Sequence, residues 1–480
     1  MHINRVRAKK IYPIISLMLN KLFSFIKHLR LNAYDTNSLE GVNNERLRLL
    51  SWAVLTSGFT KLASLIIVVA SIRWVSGYLG SERFGLWMTI TSVITLLSFV
   101  DLGMSNSLVN IVSESFGKRD HQRIHRAISS TLFLLTGLAV IIEAIFLSSF
   151  YFVEWADVVH ATKPEVVREV APSIAIYVTI FLISMPLSIV HKVQIGLQES
   201  WKSNLWSLLG QLFAIFFLGV AVYFEAGVPF LILAVAGGPA VATLINFGIY
   251  FFLERRDYLP KFNVIGSSAL TNIGRVGGLF LIMQFLALVG NASDNIVIAK
   301  ILGLSDVSTF AIVQKLAMIL GVSQLFISPM WPIFGEAIAR GDYDWAQRAL
   351  KKIIWVSFLI GALAGATILF FGSQIIKIWV GHPVETSVSL MVGFALYSIL
   401  MNIGGSLSVY LNNGSFLKRQ ISIYTLASIV AIGLKIFLVW HWQSASGAIW
   451  GTVIGYSIFY VIPAYLMAFP KNKSNLNKLI

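Results

Sequence analysis

The chain has 480 residues, of which 56% are hydrophobic and only 12% are charged. This composition excludes an ordinary soluble globular domain and indicates a protein with many membrane spans. The complete lack of cysteine excludes disulfides, thiolate metal sites and a cysteine nucleophile. The formal net charge of +15 comes from short basic clusters between apolar runs, which is typical of membrane topology and not of nucleic-acid binding.

The first element, residues 1–46, is predicted to be a basic amphipathic segment. Ile15, Leu22 and Leu29 fall on one helical face, whereas Lys21 and Lys27 lie on the opposite face and interrupt the apolar run. The interruption rules against a cleavable signal peptide, and the pattern favours a helix lying on anionic lipids at the membrane surface. The alternative is a disordered basic tail.

About twelve apolar runs then follow, each long enough to cross a bilayer as a helix of roughly 20 residues. The predicted spans are Leu49–Ser76, Phe84–Val112, His125–Phe150, Arg168–Val190, Trp201–Phe224, Phe230–Leu253, Asn272–Leu302, Val307–Glu336, Trp345–Phe371, Ser387–Leu411, Gln420–His441 and Gly447–Phe469. The fold class predicted from this pattern is an all-α polytopic membrane protein. Trp331 and Pro332 inside the eighth run, together with Pro186 and Pro329, predict kinks.

The connections between the runs alternate in charge. "FGKRDHQRIHR", "LERRDYLPKFN" and "LNNGSFLKR" belong to a basic set, whereas "YFEAGVP", "LGLSDVS" and "WVGHPVETS" belong to a set that is poor in Lys and Arg. Because Lys and Arg concentrate in cytoplasmic loops, the first set and both termini are predicted to be cytoplasmic, with Pro164 and His382 outside.

Two matches at nearly one offset indicate an internal repeat. "YLGSERFGLW" resembles "ILGLSDVSTF", and "DHQRIHRA" from Asp120 matches "DYDWAQRA" from Asp342, 222 positions later. The repeat predicts two six-helix bundles related by a pseudo-two-fold axis along the membrane normal. Five segments are expected: the N-terminal segment 1–46, a bundle at 47–253, a cytoplasmic linker at 254–272, a second bundle at 273–469, and a basic cytoplasmic tail at 470–480.

The motif "YLGSERFGLWMTITSVITLLSFVDLGMSNSLV" and the later "SDNIVIAKILGLSDVSTFAIVQKLA" resemble a known family. Both are similar to segments of the Wzx-type O-antigen flippases of the multidrug/oligosaccharidyl-lipid/polysaccharide exporter superfamily. The resemblance covers about residues 44–469, and it identifies the fold better than the cargo. It implies a flippase that moves an undecaprenyl-pyrophosphate-linked oligosaccharide across a bacterial inner membrane. The partners that it implies are this lipid-linked cargo and the polysaccharide polymerase and chain-length proteins.

Cationic residues at membrane depth are the candidates for the site. Lys61, Arg73 and Lys315 lie inside predicted spans, where an unpaired charge is costly and usually faces a cavity or a partner. Cations at this depth suit a pyrophosphate dianion. The alternative is that a side chain extends to the membrane surface, an interpretation favoured for Lys300 and Lys435, which lie nearer to span ends.

Three intramembrane carboxylates, Asp101, Glu143 and Asp294, are the candidates for ion coupling. Each is suited to binding H⁺ or Na⁺, or to neutralising a buried lysine. Asp101 precedes a cluster of small polar residues, Ser105 to Ser107, so a structural role as a hydrogen-bond acceptor competes with coupling at that position.

No nucleotide-binding P-loop, metal cluster or catalytic pair of carboxylates occurs in the sequence, so no cofactor and no enzymatic activity are predicted. Two rivals to a flippase remain. A multidrug or cation antiporter of the same superfamily would favour a more acidic cavity than Lys61 and Lys315 provide. A membrane polysaccharide polymerase would usually need a long external catalytic loop, whereas the longest here has only about fifteen residues.

Overall fold

The computed structural model describes residues 29, 30, 32, 34, 35, 38–97, 103–158, 163–321, 324–380, 384–413 and 416–470. Within these ranges the chain is helical almost throughout and contains no β-strand. The predicted interfacial helix and the basic tail from Lys471 onward lie outside the described residues. The all-α fold predicted from the composition is confirmed.

Eight α-helices precede the linker. They are Leu39–Leu97 (α1), Met104–Gly117 (α2), His121–Phe150 (α3), Trp155–Val158 (α4), Pro164–Leu187 (α5), Ile189–Gly196 (α6), Ser200–Tyr223 (α7) and Val228–Ile249 (α8). A π-helical turn, Tyr250–Glu254, ends α8, and the linker contains two short 3₁₀ turns, Arg256–Tyr258 and Phe262–Val264.

Nine α-helices follow the linker. They are Ser267–Ile301 (α9), Leu304–Leu320 (α10), Gln324–Ile327 (α11), Met330–Ala339 (α12), Tyr343–Val380 (α13), Val388–Leu411 (α14), Phe416–Trp442 (α15), Ser446–Tyr456 (α16) and Ile462–Ala468 (α17). A π-helical turn, Ser457–Val461, joins the last two into one span.

Membrane-spanning helices are numerous. In the described part of the chain, nine helical stretches are long and apolar enough to cross a bilayer. These stretches are His121–Phe150, Pro164–Gly196, Ser200–Tyr223, Val228–Glu254, Leu270–Ile301, Tyr343–Trp379, Val388–Leu411, Phe416–Trp442 and Ser446–Ala468. They coincide with predicted spans, which confirms a multi-pass membrane protein.

The first two predicted spans differ from the structure. The connection "SGYLGSERFG" was expected to separate them, but α1 runs through it without interruption. Val75, Leu79, Leu86 and Ile90 recur with the 3.6-residue period of a helix and are all buried in one apolar cluster with α5, α7 and α8. The buried stripe therefore keeps this stretch helical although it contains Gly80.

The eighth predicted span is broken, as the prolines indicated. Within residues 304–321 and 324–339 the structure contains three separate helices, α10, α11 and α12, and Pro329 lies immediately before the third. Proline lacks the amide hydrogen that would continue the ladder of hydrogen bonds, so a break at this position is expected. A second break follows Pro186, where α5 ends at Leu187 and α6 begins at Ile189.

The apolar core divides between the two halves of the chain. Two clusters lie among the helices before and just after the linker, one centred on Leu108 and Ile128 and the other on Leu218. Two further clusters belong to the C-terminal helices, one around Phe394 and the other around Tyr410. The halves therefore pack mainly on themselves.

The halves meet where α2 packs against α12. A Cβ atom added to Gly117 would lie 2.9 Å from the Cβ of Ala339, and one added to Gly335 would lie 3.2 Å from the Cβ of Ser113. In both pairs the partners are 222 positions apart, which is the offset of the sequence repeat. Residues related by a two-fold axis touch one another only next to that axis. The contacts therefore support a pseudo-two-fold between α2 and α12, and the two glycines permit the close approach.

Candidate functional site: the interface between the two halves

A buried ionic network ties the two halves together beside the α2–α12 contact. Arg46 of α1 lies 2.7 Å from Glu336 of α12 and 3.2 Å from Asp342, and only 4% of its side chain is exposed. Arg340 forms a second ion pair with Glu336, and the guanidinium of Arg46 lies over the ring of Trp345. We call the end of the molecule that contains Arg46, Lys118–Asp120 and Arg340–Asp342 the basic end.

Sequence analysis did not identify this network. Arg46 is the last residue of the predicted N-terminal segment, and 290 positions separate it from Glu336. No local pattern links two residues so far apart in the chain. The one available signal was that Asp342 is the first residue of the repeated motif "DYDWAQRA" and that Glu336 lies six positions before it.

Asn110 makes a second link between the halves. Its side-chain amide donates to the backbone carbonyl of Asn412 at 2.5 Å, and its side-chain oxygen accepts from the indole nitrogen of Trp331 at 2.7 Å. Trp331, expected only to mark a kink, therefore also fastens α12 to α2. These hydrogen bonds and the Arg46 network tie the two halves together at the basic end.

Lys61 is exposed, and helix periodicity places it on the stripe of α1 that carries Arg46 and Leu50. On an ideal helix, positions 46, 50 and 61 fall within about 60° of one another. Arg46 contacts Glu336, and Leu50 packs against the apolar cluster around Tyr410, so this stripe points toward the C-terminal half near the basic end. Lys61 continues this stripe about four turns from Arg46, and its side chain is exposed.

Lys315 is also exposed, on α10. The same helix buries Phe310, Val313 and Leu316 in the core of the C-terminal half, and Lys315 lies on the other side of the helix. The backbone of Arg73 belongs to α1, but its side chain lies outside the described part of the structure.

Lys435 is where the sequence interpretation was wrong. It was expected to extend to the membrane surface, yet it is only 2% exposed. Its ammonium group forms an ion pair of 2.7 Å with Asp294 and donates to the carbonyl of Gly290 at 2.8 Å and to the hydroxyl of Ser293 at 3.1 Å. Burial is possible because oxygen atoms of α9 replace the water that the ammonium loses.

The carboxylates proposed for ion coupling thus have different surroundings. Asp294 is buried and already has a cationic partner in Lys435. Glu143 of α3 is half-buried and accepts a hydrogen bond of 2.8 Å from Thr179 of α5, while its second oxygen is buried without a hydrogen-bond partner among the described residues. Asp101 lies outside the described residues.

The described residues contain no group of three or more His, Asp or Glu side chains that could hold a metal ion. The interface instead contains closely packed glycines and, at the basic end, paired charges. Such a contact between two halves is suited to opening and closing.

Comparison with known proteins gives a family match over residues 47–338, to the family described as polysaccharide biosynthesis protein. A "Putative O-antigen transporter" of Salmonella typhi is 21% identical over 431 residues, which are 86% of this chain and 94% of that protein. A "Putative O-antigen export protein" of Yersinia pseudotuberculosis is 22% identical over 361 residues, covering 71% and 78% of the two chains.

Among solved structures, a crystal structure of MATE in the bent conformation superposes with a TM-score of 0.76 at 17% identity. The superposition covers 91% of this chain and 96% of that one. At this identity the likeness shows the fold alone, which is the fold of MATE transporters.

Proposed function

The chain belongs to the polysaccharide biosynthesis protein family, and on that premise we propose that it is a flippase for lipid-linked oligosaccharides. The cargo is an undecaprenyl-pyrophosphate-linked oligosaccharide, an O-antigen unit or a related polysaccharide repeat unit. It moves from the cytoplasmic to the periplasmic leaflet of a bacterial inner membrane. Relatives named as O-antigen transporter and export proteins support this choice of cargo.

The observation that carries the mechanism is the contact between α2 and α12 at the basic end. The two bundles, 47–253 and 273–469, meet there through pairs of residues 222 positions apart. Such a contact beside a pseudo-two-fold axis suits alternating access, in which the bundles rock against each other. The charge bias of the loops supports a cytoplasmic location for the basic end, the linker 254–272 and both termini. The contact therefore corresponds to a state closed toward the cytoplasm.

The pyrophosphate would bind between the bundles, at Lys61 and Lys315, with Arg73 as a third candidate. Lys61 shares its helix stripe with Arg46 and Leu50, which contact the opposite half, and both lysines are exposed. An ammonium group inside the membrane is stabilised by an anion bound beside it. The same lysines oppose the alternative of an exporter for organic cations.

Ion coupling, to H⁺ or Na⁺, is part of the proposal. Among the three carboxylates, Glu143 has one buried oxygen without a hydrogen-bond partner in the described part of the chain. Asp294 would bind an incoming cation only after releasing Lys435. It is therefore a weaker candidate for ion coupling than Glu143 and Asp101. No cofactor is required.

The test is complementation in a strain that lacks the native gene. Deletion should stop surface polysaccharide and cause lipid-linked oligosaccharide to accumulate in the cytoplasmic leaflet. Lys61→Ala should reduce surface polysaccharide at least about tenfold at normal protein abundance, and Lys61→Arg should retain part of it, because an anion bound at Lys61 needs the positive charge.

Lys352→Ala, which removes an exposed lysine of α13, is the matched control and should be fully active. Full activity of Lys61→Ala would remove Lys61 from the site. A deletion strain without accumulated lipid-linked oligosaccharide would refute the proposed cargo.

A further inference from the structure

A second cationic site lies at the basic end, apart from Lys61 and Lys315. A cavity of about 530 Å³ opens between the end of α2, the start of α3 and the starts of α9 and α15. It is lined by residues of both halves. Its lining includes four cationic side chains, Lys118, Arg123, Arg275 and Lys418, and one carboxylate, Glu114.

The charges in this cavity are unevenly paired. Glu114 lies 2.6 Å from Lys118 and 3.1 Å from Arg123, so these two cations share one carboxylate. Burial raises the pKa of Glu114, but the two cations lower it more, and the net pKa lies below its usual range. Glu114 is therefore ionised at neutral pH. Because it already pairs with Lys118 and Arg123, it does not neutralise Arg275 and Lys418.

Arg275 and Lys418 have no acidic partner among the described residues, and both are exposed at the mouth of the cavity. They come from different helices, α9 and α15, yet line one space. Two unpaired cations facing one cavity repel each other unless an anion lies between them. Arg275 can bind phosphate oxygens bidentately, and Lys418 supplies a point charge.

The wall behind these cations is apolar. On α9, Val276 follows Arg275 directly and Leu279 lies one turn farther along, and on α15 Leu417 precedes Lys418; all three line the cavity. A ligand with an anionic head and a hydrocarbon chain would satisfy both parts of the surface. A soluble phosphate compound would leave the apolar wall unused.

From this arrangement we propose that the cavity binds the phosphate group of a membrane lipid, held by Arg275 and Lys418 with its chain against Val276, Leu279 and Leu417. Basic pockets between membrane helices on the cytoplasmic side are suited to such head groups. Because both halves line the cavity, a bound lipid stabilises the state closed at the basic end. The site does not depend on the identity of the transported cargo.

The experiment titrates the full-length protein in phosphatidylcholine nanodiscs with three probes: dihexanoyl phosphatidylglycerol, farnesyl diphosphate and inorganic pyrophosphate. The double variant Arg275→Gln/Lys418→Gln should bind the lipid probes at least about tenfold more weakly, since charge-assisted hydrogen bonds are lost. Lys352→Gln/Arg419→Gln is the matched control. It removes the same charge from exposed residues, one of them adjacent to Lys418, that do not line the cavity.

The outcomes separate the possible sources of the phosphate. Binding of both lipid probes assigns the site to bulk anionic phospholipid, whereas binding of farnesyl diphosphate alone assigns it to a polyprenyl carrier. Inorganic pyrophosphate should bind at least about tenfold more weakly than farnesyl diphosphate, and equal affinity would overturn the role of the apolar wall. Unchanged affinity in the double variant, or an equal loss in the control, would overturn the site. None of these readouts measures transport, so failure here leaves the flippase proposal standing.

Discussion

At the scale of single residues, Lys435 and Asp294 illustrate how charge is accommodated inside this protein. Both are buried, and the ammonium is bonded to the carboxylate, a backbone carbonyl and a serine hydroxyl. A buried ion pair contributes little over an apolar replacement, but removal of one partner leaves an uncompensated charge. The pair therefore acts as a unit.

Lys435→Met is expected to destabilise the protein by about 3–5 kcal/mol, because the buried carboxylate of Asp294 would lose the cation that compensates its charge. Adding Asp294→Asn removes that charge and should restore most of the lost stability. Thermal unfolding of the purified protein in detergent measures both effects. Lys300→Met, an exposed lysine at the end of the same α9, is the control and should change little. A double variant as unstable as Lys435→Met alone would contradict the pairing.

At the scale of helices, the contact between α2 and α12 joins the two halves at the basic end. Because Gly117 and Gly335 have no Cβ atom, α2 and α12 approach each other more closely than they could with larger residues at these positions. Arg46 adds an ionic link from α1 to the same region. Transport by alternating access requires this contact to break and re-form.

A disulfide across the contact should stop transport reversibly. The chain has no native cysteine, so Ser113→Cys/Gly335→Cys is free of competing thiols. The Cβ separation of 3.2 Å is shorter than the roughly 3.5–4.5 Å of a disulfide, and a Cβ atom at position 335 would lie 2.7 Å from Oδ1 of Asn413, so α2, α12 and the Asn413 side chain must shift to accommodate the bond. Oxidation should abolish surface polysaccharide production, and a reductant should restore it.

The control is a cross-link within one half. Ser357 of α13 and Ser406 of α14 have hydroxyls 2.8 Å apart, and both belong to the C-terminal half. Ser357→Cys/Ser406→Cys should therefore remain active after oxidation. Full activity of the oxidised Ser113–Gly335 pair would show that α2 and α12 do not separate during transport.

At the scale of the whole molecule, the family match and the relatives confirm the resemblance to Wzx-type flippases, and the superposition confirms the fold. The orientation in the membrane stays a prediction from the charge bias. It assigns the linker to the cytoplasm and the end of α3 to the outside.

Cysteine labelling tests that orientation. Tyr151, 90% exposed just after α3, and Asp257, exposed in the linker, lie at opposite ends of the predicted topology. With a membrane-impermeant maleimide, Tyr151→Cys should react in spheroplasts with an intact inner membrane, whereas Asp257→Cys should react only after that membrane is permeabilised. The reverse pattern would invert the molecule and place the basic end outside.

Much of the architecture followed from the sequence by itself. Long apolar runs and the scarcity of charge determined an all-α membrane protein, because each backbone polar group must be satisfied within its own helix in lipid. The repeat from Asp120 to Asp342 indicated the relation between halves, and Pro186 and Pro329 marked breaks that the structure contains. These features are local in the chain, so a periodic pattern or a single residue type reveals them.

Other features were decided only by the tertiary structure. The connection "SGYLGSERFG" was predicted to separate the first two spans, but the buried stripe of α1 keeps it helical. Hydropathy placed Lys435 near a membrane surface, yet Asp294 of a different helix keeps it buried. Arg46 and Glu336 are 290 positions apart, and no local pattern pairs them. In each case the outcome depends on which distant side chain fills the neighbouring space, and that is a property of packing between helices and not of any one segment.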